Sequence, residues 1–121
     1  MEIKPDKTSL VQVYELYKAI GIIPLNDLQK RLLLKFKNEQ FPAITKIQET
    51  ANLPLQYMRV YTTDKYIYAL YAGKTVNELM SGKVTKLSVH VFGWDGTARC
   101  ELQLNRLINC FCVDEENTVL Y

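Results

Sequence analysis

The sequence is poor in the residues from which common catalytic and metal centres are built. It has one histidine in 121 residues, so no Ser-His-Asp or Cys-His arrangement can form except around His90. Its three cysteines, Cys100, Cys110 and Cys112, are an odd number, which argues against a secreted disulfide framework. They also fall short of the four ligands of a structural zinc site, and small apolar packing residues are the better reading. Five glycines lie scattered at Gly21, Gly73, Gly82, Gly93 and Gly96, so there is no phosphate-binding loop. No apolar run approaches the roughly eighteen residues that mark a spanning helix. The start, Met1-Glu2-Ile3-Lys4-Pro5-Asp6, lacks the pattern of a signal peptide. No membrane association and a cytoplasmic location are expected, with no cofactor and no metal.

What remains is an ordinary packing composition, 48% hydrophobic and 23% charged, which fits one domain over residues 1–121. The formal net charge is +2, with 15 Lys and Arg against 13 Asp and Glu. Asp114-Glu115-Glu116 holds three of the negatives, so residues 1–113 carry 15 minus 10, or +5. A basic body is compatible with a nucleic-acid partner and equally with a solvated surface of mixed sign.

Organisation changes near Pro42. Leu10, Val13, Tyr14, Tyr17 and Ile20 recur at three-to-four spacing, which predicts a helix from Ser9 to Ile20, ended by Gly21. A second helix is predicted from Asn26 to Asn38 through Leu28, Leu32, Leu33 and Phe36, with Lys30, Arg31, Lys35 and Lys37 on its other face. Residues 42–52 suggest a short third helix, so the helical part covers about 8–52.

From Pro54 the period becomes two. Leu55 to Thr62 and Lys65 to Ala72 read as a hairpin around Thr63-Asp64. One helical turn is expected around Val76, Leu79 and Met80. Lys83 to Trp94 and Thr97 to Leu104 flank Asp95-Gly96, a signal for a type I′ turn. Leu107 to Val113 and Thr118 to Tyr121 supply two more strands. Six or so mostly antiparallel strands after a helical start give an α+β class, N-terminal helices followed by a small barrel over about 54–121.

The Asp95-Gly96 turn predicts that Val91 pairs with Cys100, Val89 with Leu102 and Leu87 with Leu104, an apolar face that takes Cys100 into the core. On the opposite face His90 pairs with Glu101 and Phe92 with Arg99. In the first hairpin, Val60 faces Ile67 and Met58 faces Ala69. The other side pairs Tyr61 with Tyr66 and Arg59 with Tyr68, with Tyr57 beside them. Exposed, that face is a stacking platform for unpaired bases, with Lys65, Lys74, Lys83 and Lys86 near enough for phosphates. Buried, it packs beneath the N-terminal helices. Both readings stand at this level.

Gly73-Lys74-Thr75-Val76-Asn77-Glu78-Leu79 resembles the Gly-x-Lys-Thr-x-Glu-x-Arg stretch of ASCH domains, a PUA-like branch with RNA or nucleotide ligands. Some of its members are amidohydrolases, which would give Lys74, Thr75 and Glu78 catalytic roles. The length, the Lys-, Ile- and Asn-containing composition and the order of helices then barrel resemble the PrgU-type proteins of enterococcal pheromone-responsive conjugative plasmids. That resemblance implies a PUA-like β-barrel and a regulator restraining conjugation and surface-adhesin operons through RNA. The expected function is a small non-catalytic RNA-binding regulator of the bacterial cytoplasm. The alternatives are a module that binds protein, or another copy of itself, without nucleic acid, and an ASCH-type amidohydrolase.

Overall fold

The computed structural model describes residues 1–14, 18–35, 54–82, 87–104, 108 and 111–114. The expected helix over 42–52, the strand at 118–121, and Lys83, Lys86 and Cys110 lie outside the described residues.

The described residues of the first third of the chain form no α-helix. They form strands β1 (Glu2–Ile3), β2 (Ser9–Val13), β3 (Ala19–Pro24) and β4 (Leu32–Lys35), a four-stranded antiparallel sheet in sequential order. Within the described residues of the expected second helix the only helical piece is a 3-10 turn, Leu28–Lys30, started by Asp27, whose carboxylate accepts from the Gln29 N–H. The reason lies in local alternation. In Ser9-Leu-Val-Gln-Val13 and Ala19-Ile-Gly-Ile-Ile23 a period of two is as good a fit as three-to-four spacing, and branched residues favour the pleat. Val11, Ile20 and Ile22 share one face through the pairs Val11↔Ile22 and Val13↔Ile20, and all three are buried. Gly21 sits inside β3, opposite Gln12 and Leu33, and terminates nothing.

A second four-stranded antiparallel sheet follows, again in sequential order: β5 (Leu55–Thr62), β6 (Tyr66–Lys74), β7 (Leu87–Gly93) and β8 (Ala98–Leu104). Helix α1 (Val76–Met80) occupies the β6–β7 connection. The expected β7–β8 register is present, with Val91↔Cys100, Val89↔Leu102, Leu87↔Leu104 and His90↔Glu101. Phe92 pairs with Ala98 rather than Arg99, because a bulge intervenes. The turn is not type I′. Gly96 alone takes a positive φ (+89°) there, and Gly96 N–H donates to Gly93 O while Gly93 N–H donates to Thr97 O. That is the bulged hairpin with a left-handed glycine.

The β5–β6 register differs by two residues from expectation, giving Val60↔Ala69, Tyr61↔Tyr68 and Thr62↔Ile67. Thr63 lengthens the loop, its Oγ1 accepting from the N–H groups of Lys65 and Tyr66. Irregularities on either side of Tyr57 then turn that residue to the other face.

The two sheets stack face to face along a seam filled by Val11, Ile20 and Ile22 from the first and Tyr57, Ile67, Ala69 and Phe92 from the second. They stack in the same order. Thr62 Oγ1 of β5 donates to the Ile3 carbonyl of β1 (2.9 Å), and Gly96 of the β7–β8 turn lies against Leu32 and Leu34 of β4. The far face of the second sheet carries Tyr68, Leu70, Leu87, Val89 and Val91, with Ile108, Phe111 and Val113 packed over it. The α+β barrel expectation is thus replaced by a mostly-β stack with one short α-helix among the described residues.

Candidate functional site

The seam holds the chain's only histidine inside a polar and aromatic cluster. His90 lies on β7 facing the first sheet and is 9% exposed. The Tyr57 hydroxyl is 2.9 Å from its Nδ1. Tyr71 stacks on the imidazole at 4.6 Å between centroids and 27° between planes. Glu101, its cross-strand partner on β8, brings a carboxylate oxygen to 3.7 Å from Nε2, an electrostatic contact longer than a hydrogen bond. Lys18, just before β3, places its ammonium 4.9 Å from the centre of the Tyr71 ring.

The negative charge of Glu101 beside Nε2 favours the neutral tautomer that carries its proton there. Nδ1 then accepts from the Tyr57 hydroxyl. Burial holds the His90 pKa below its ordinary 6.5, against the upward pull of Glu101 and with a smaller downward push from Lys18. Neutral imidazole is therefore the folded form at neutral pH, and the cluster ties β5, β6, β7 and β8 to the first sheet.

The sign of the pH dependence follows. The unfolded chain takes up the proton more readily, so this contribution to stability is complete above pH 6.5 and is lost as the pH falls from there through the lower folded value. Thermal midpoints measured by circular dichroism should fall between about pH 7 and pH 5, and His90→Gln should flatten that slope. A midpoint that rises over this interval contradicts the burial of a neutral ring.

The tyrosines expected to form one platform are divided between two faces. Tyr57 is wholly buried in the seam, and Tyr68 is 5% exposed on the far face of the second sheet. Tyr61 and Tyr66 are half-buried on that same far face, and Arg59 is exposed. Burial pushes the Tyr68 hydroxyl above its ordinary range, with Tyr66 adding to the rise. Tyr61 and Lys65 both line a groove of about 450 Å³ beside the β5–β6 loop, together with Asp64, Val113 and Asp114.

The stretch from Gly73 to Leu79 has a structural explanation. Thr75 caps α1, its Oγ1 accepting from the Glu78 N–H, while the Glu78 carboxylate accepts from the Thr75 N–H. This reciprocal box needs only a threonine and a glutamate three residues apart. Lys74 is exposed at the end of β6. Cys100, expected in the core, is exposed on the edge strand β8, as is Cys112 beyond it.

Four-stranded antiparallel sheets stacked face to face, each strand beside its neighbour in sequence, are the blades of a propeller. The family comparison agrees. The model of the TolB-like 6-blade propeller-like family matches residues 1–116. The chain belongs to that family. Family membership replaces the resemblance to PrgU-type and PUA-like proteins, and the described residues of the first two expected helices form strands β2, β3 and β4 and a 3-10 turn. No curated protein and no solved structure matches the chain at a significant level.

The blade face turned away from the seam was not singled out by the sequence. On the first blade it carries Leu10, Gln12, Gly21, Ile23 and Leu33, in the rows Leu10↔Ile23 and Gln12↔Gly21↔Leu33. Leu33 is 53% exposed, and Leu10 and Ile23 are half-buried. A groove of about 410 Å³ runs along it past Gln12, Tyr14, Gly21, Ile23 and Arg31. The period of two in β2 and β3, once recognised, is the signal that would have found it.

Proposed function

We propose that this chain is a non-catalytic protein-interaction module whose open first-blade face docks another protein surface. The observation that carries this is the apolar outer face of the first blade, where Leu33 stands exposed beside Leu10, Gly21 and Ile23. In a propeller such faces pair with other sheets, and water is the costly alternative. A nucleic-acid role keeps one supporting observation, the presence of Tyr61 and Lys65 in the lining of the loop groove. The regulation of conjugation and adhesin operons has no support apart from the superseded resemblance.

Salt distinguishes the two readings. Phosphate contacts release counterions, so RNA binding falls steeply between about 50 and 200 mM salt, whereas apolar docking does not. Titration of the purified chain with single-stranded RNA should show no salt-sensitive binding at the lower salt. Tight binding that collapses at the higher salt, and is weakened by Lys65→Ala, overturns the protein-interaction reading in favour of RNA.

A further inference from the structure

Four strands stand at the edges of the two sheets, and three of them are blunted or engaged. β1 is only two residues long. β5 is tied to the first sheet, where the Tyr57 N–H donates to the Tyr14 carbonyl and the Thr62 hydroxyl to that of Ile3. β8 carries Arg99 and Glu101 within the strand, and a bulge interrupts its pairing with β7. Charges and bulges of this kind guard an edge against a new strand. β4 has neither between Leu32 and Leu34, where its pairing with β3 is regular. No described strand pairs with its outer edge. Leu32 and Leu33, which project to opposite faces of the sheet, are 42% and 53% exposed.

The outer face adds a charge to this edge. One step beyond the pair Ile22↔Leu32, Arg31 comes beside Ile23, and both line the groove of about 410 Å³ together with Leu33 and Gly21. Gly21 leaves open a floor that a side chain would fill, with nothing nearer than 3.8 Å to the place a Cβ would take. Arg31 is extended (φ −60°, ψ 143°), so strand pairing can run through it. It is exposed, and no ion pair among the described residues includes it. The neighbouring Asp27 carboxylate faces Lys30 instead, at 4.0 Å. An apolar edge thus ends in an unneutralised guanidinium on the groove side.

We propose that the outer edge of β4 receives an extended, acidic segment of a partner protein as an added antiparallel strand. Backbone pairing supplies the affinity of such an addition, and alternate side chains supply the specificity. The residue opposite Leu33 is apolar and lies over the groove. The next, opposite Leu32, is apolar and lies on the other face. The third, opposite Arg31, carries a carboxylate. The four residues of β4 span about 13 Å, which suits a segment of about the same length. This rests on the protein-interaction reading and names the partner of that face as a strand of apolar–apolar–acidic pattern.

The probe is a fluorescein-labelled peptide, Thr-Thr-Val-Val-Glu-Thr-Thr, titrated with the purified chain and followed by polarisation. Saturable binding below about 1 mM is expected. Arg31→Glu, at an exposed position, should weaken it up to about fivefold. Replacing the peptide's glutamate by lysine should restore binding to that variant. Two further peptides, N-methylated at alternate amides, test the edge itself. Methyl groups turned toward β4 remove its hydrogen bonds and should weaken binding about tenfold, whereas those turned away should leave it near that of the parent peptide. No saturable binding, no rescue by the charge swap, or equal loss for both methylated peptides overturns the added strand.

An environment-sensitive apolar dye separates this failure from that of the wider reading. A chain that binds no peptide but binds the dye, with the signal reduced by Leu33→Glu, keeps the protein-interaction reading and removes the added strand. A chain that binds neither removes both.

Discussion

Val11→Asp is expected to unfold the chain, whereas Leu10→Asp, one residue earlier, is expected to leave it folded. Val11 is wholly inaccessible, at the centre of the seam with Ile20 and Ile22. Removing its side chain forfeits about 1.5–3 kcal/mol of apolar burial. The carboxylate that replaces it has no cation among the seam residues Val11, Ile20, Ile22, Ile67 and Phe92, and burying it costs several kcal/mol more. The sum is comparable with the whole stability of a domain this size, about 5–15 kcal/mol. Leu10 points to the outer face and is half-buried, so its replacement should cost on the order of 1 kcal/mol. A helix over 9–20 reverses the order, since Leu10 lies on its apolar stripe with Val13 and Tyr14 while Val11 does not. Urea unfolding of the two variants decides between strand and helix, and a Val11→Asp protein more stable than Leu10→Asp rules out the strand.

That comparison marks where the sequence is ambiguous. Between Ser9 and Ile20 the apolar residues satisfy a helical stripe and a strand alternation at once, because Leu10, Val13, Tyr14, Tyr17 and Ile20 match one period while Val11 and Val13 match the other. The tie is broken by a contact far along the chain, the seam with Ile67 and Phe92, which no local window contains. From Leu55 onward the alternation is cleaner and carries its own turn signals. There Val89↔Leu102 and Val91↔Cys100 were legible from Asp95-Gly96 alone.

The blade repeat is also physically present and hidden in the sequence. Sheet order sets β2–β3–β4 against β6–β7–β8, and two rows so matched, Val11–Ile22–Leu32 and Tyr68–Val91–Cys100, lie 57, 69 and 68 residues apart. The connections differ in length, so no fixed period survives, and Val–Tyr or Leu–Cys equivalence preserves burial pattern without identity. The register places Cys100 on the apolar side of the sheet, yet it is exposed, because β8 is the sheet edge. Register fixes which face a residue is on, and only the neighbouring layer fixes whether that face is dry.

Tyr57 concentrates these questions in one side chain. It is fully buried, its hydroxyl is 2.9 Å from His90 Nδ1, and its ring lies 5.4 Å from that of Tyr71. Tyr57→Ala should cost about 3–5 kcal/mol, the range for losing a large aromatic from a packed core. Tyr57→Phe keeps the ring and removes only the hydroxyl, leaving His90 Nδ1 without that donor, for about 1–3 kcal/mol. Part of the Phe cost should disappear at low pH, because a protonated His90 no longer accepts at Nδ1 and the wild type loses the same bond. A base-stacking Tyr57 behaves in the opposite way, weakening RNA binding on conversion to alanine while the urea midpoint stays near wild type. Measuring midpoints at about pH 7 and pH 5 for the three proteins therefore tests the burial, the hydrogen bond and its proton together. An alanine variant as stable as wild type would mean that the two blades do not close over this tyrosine.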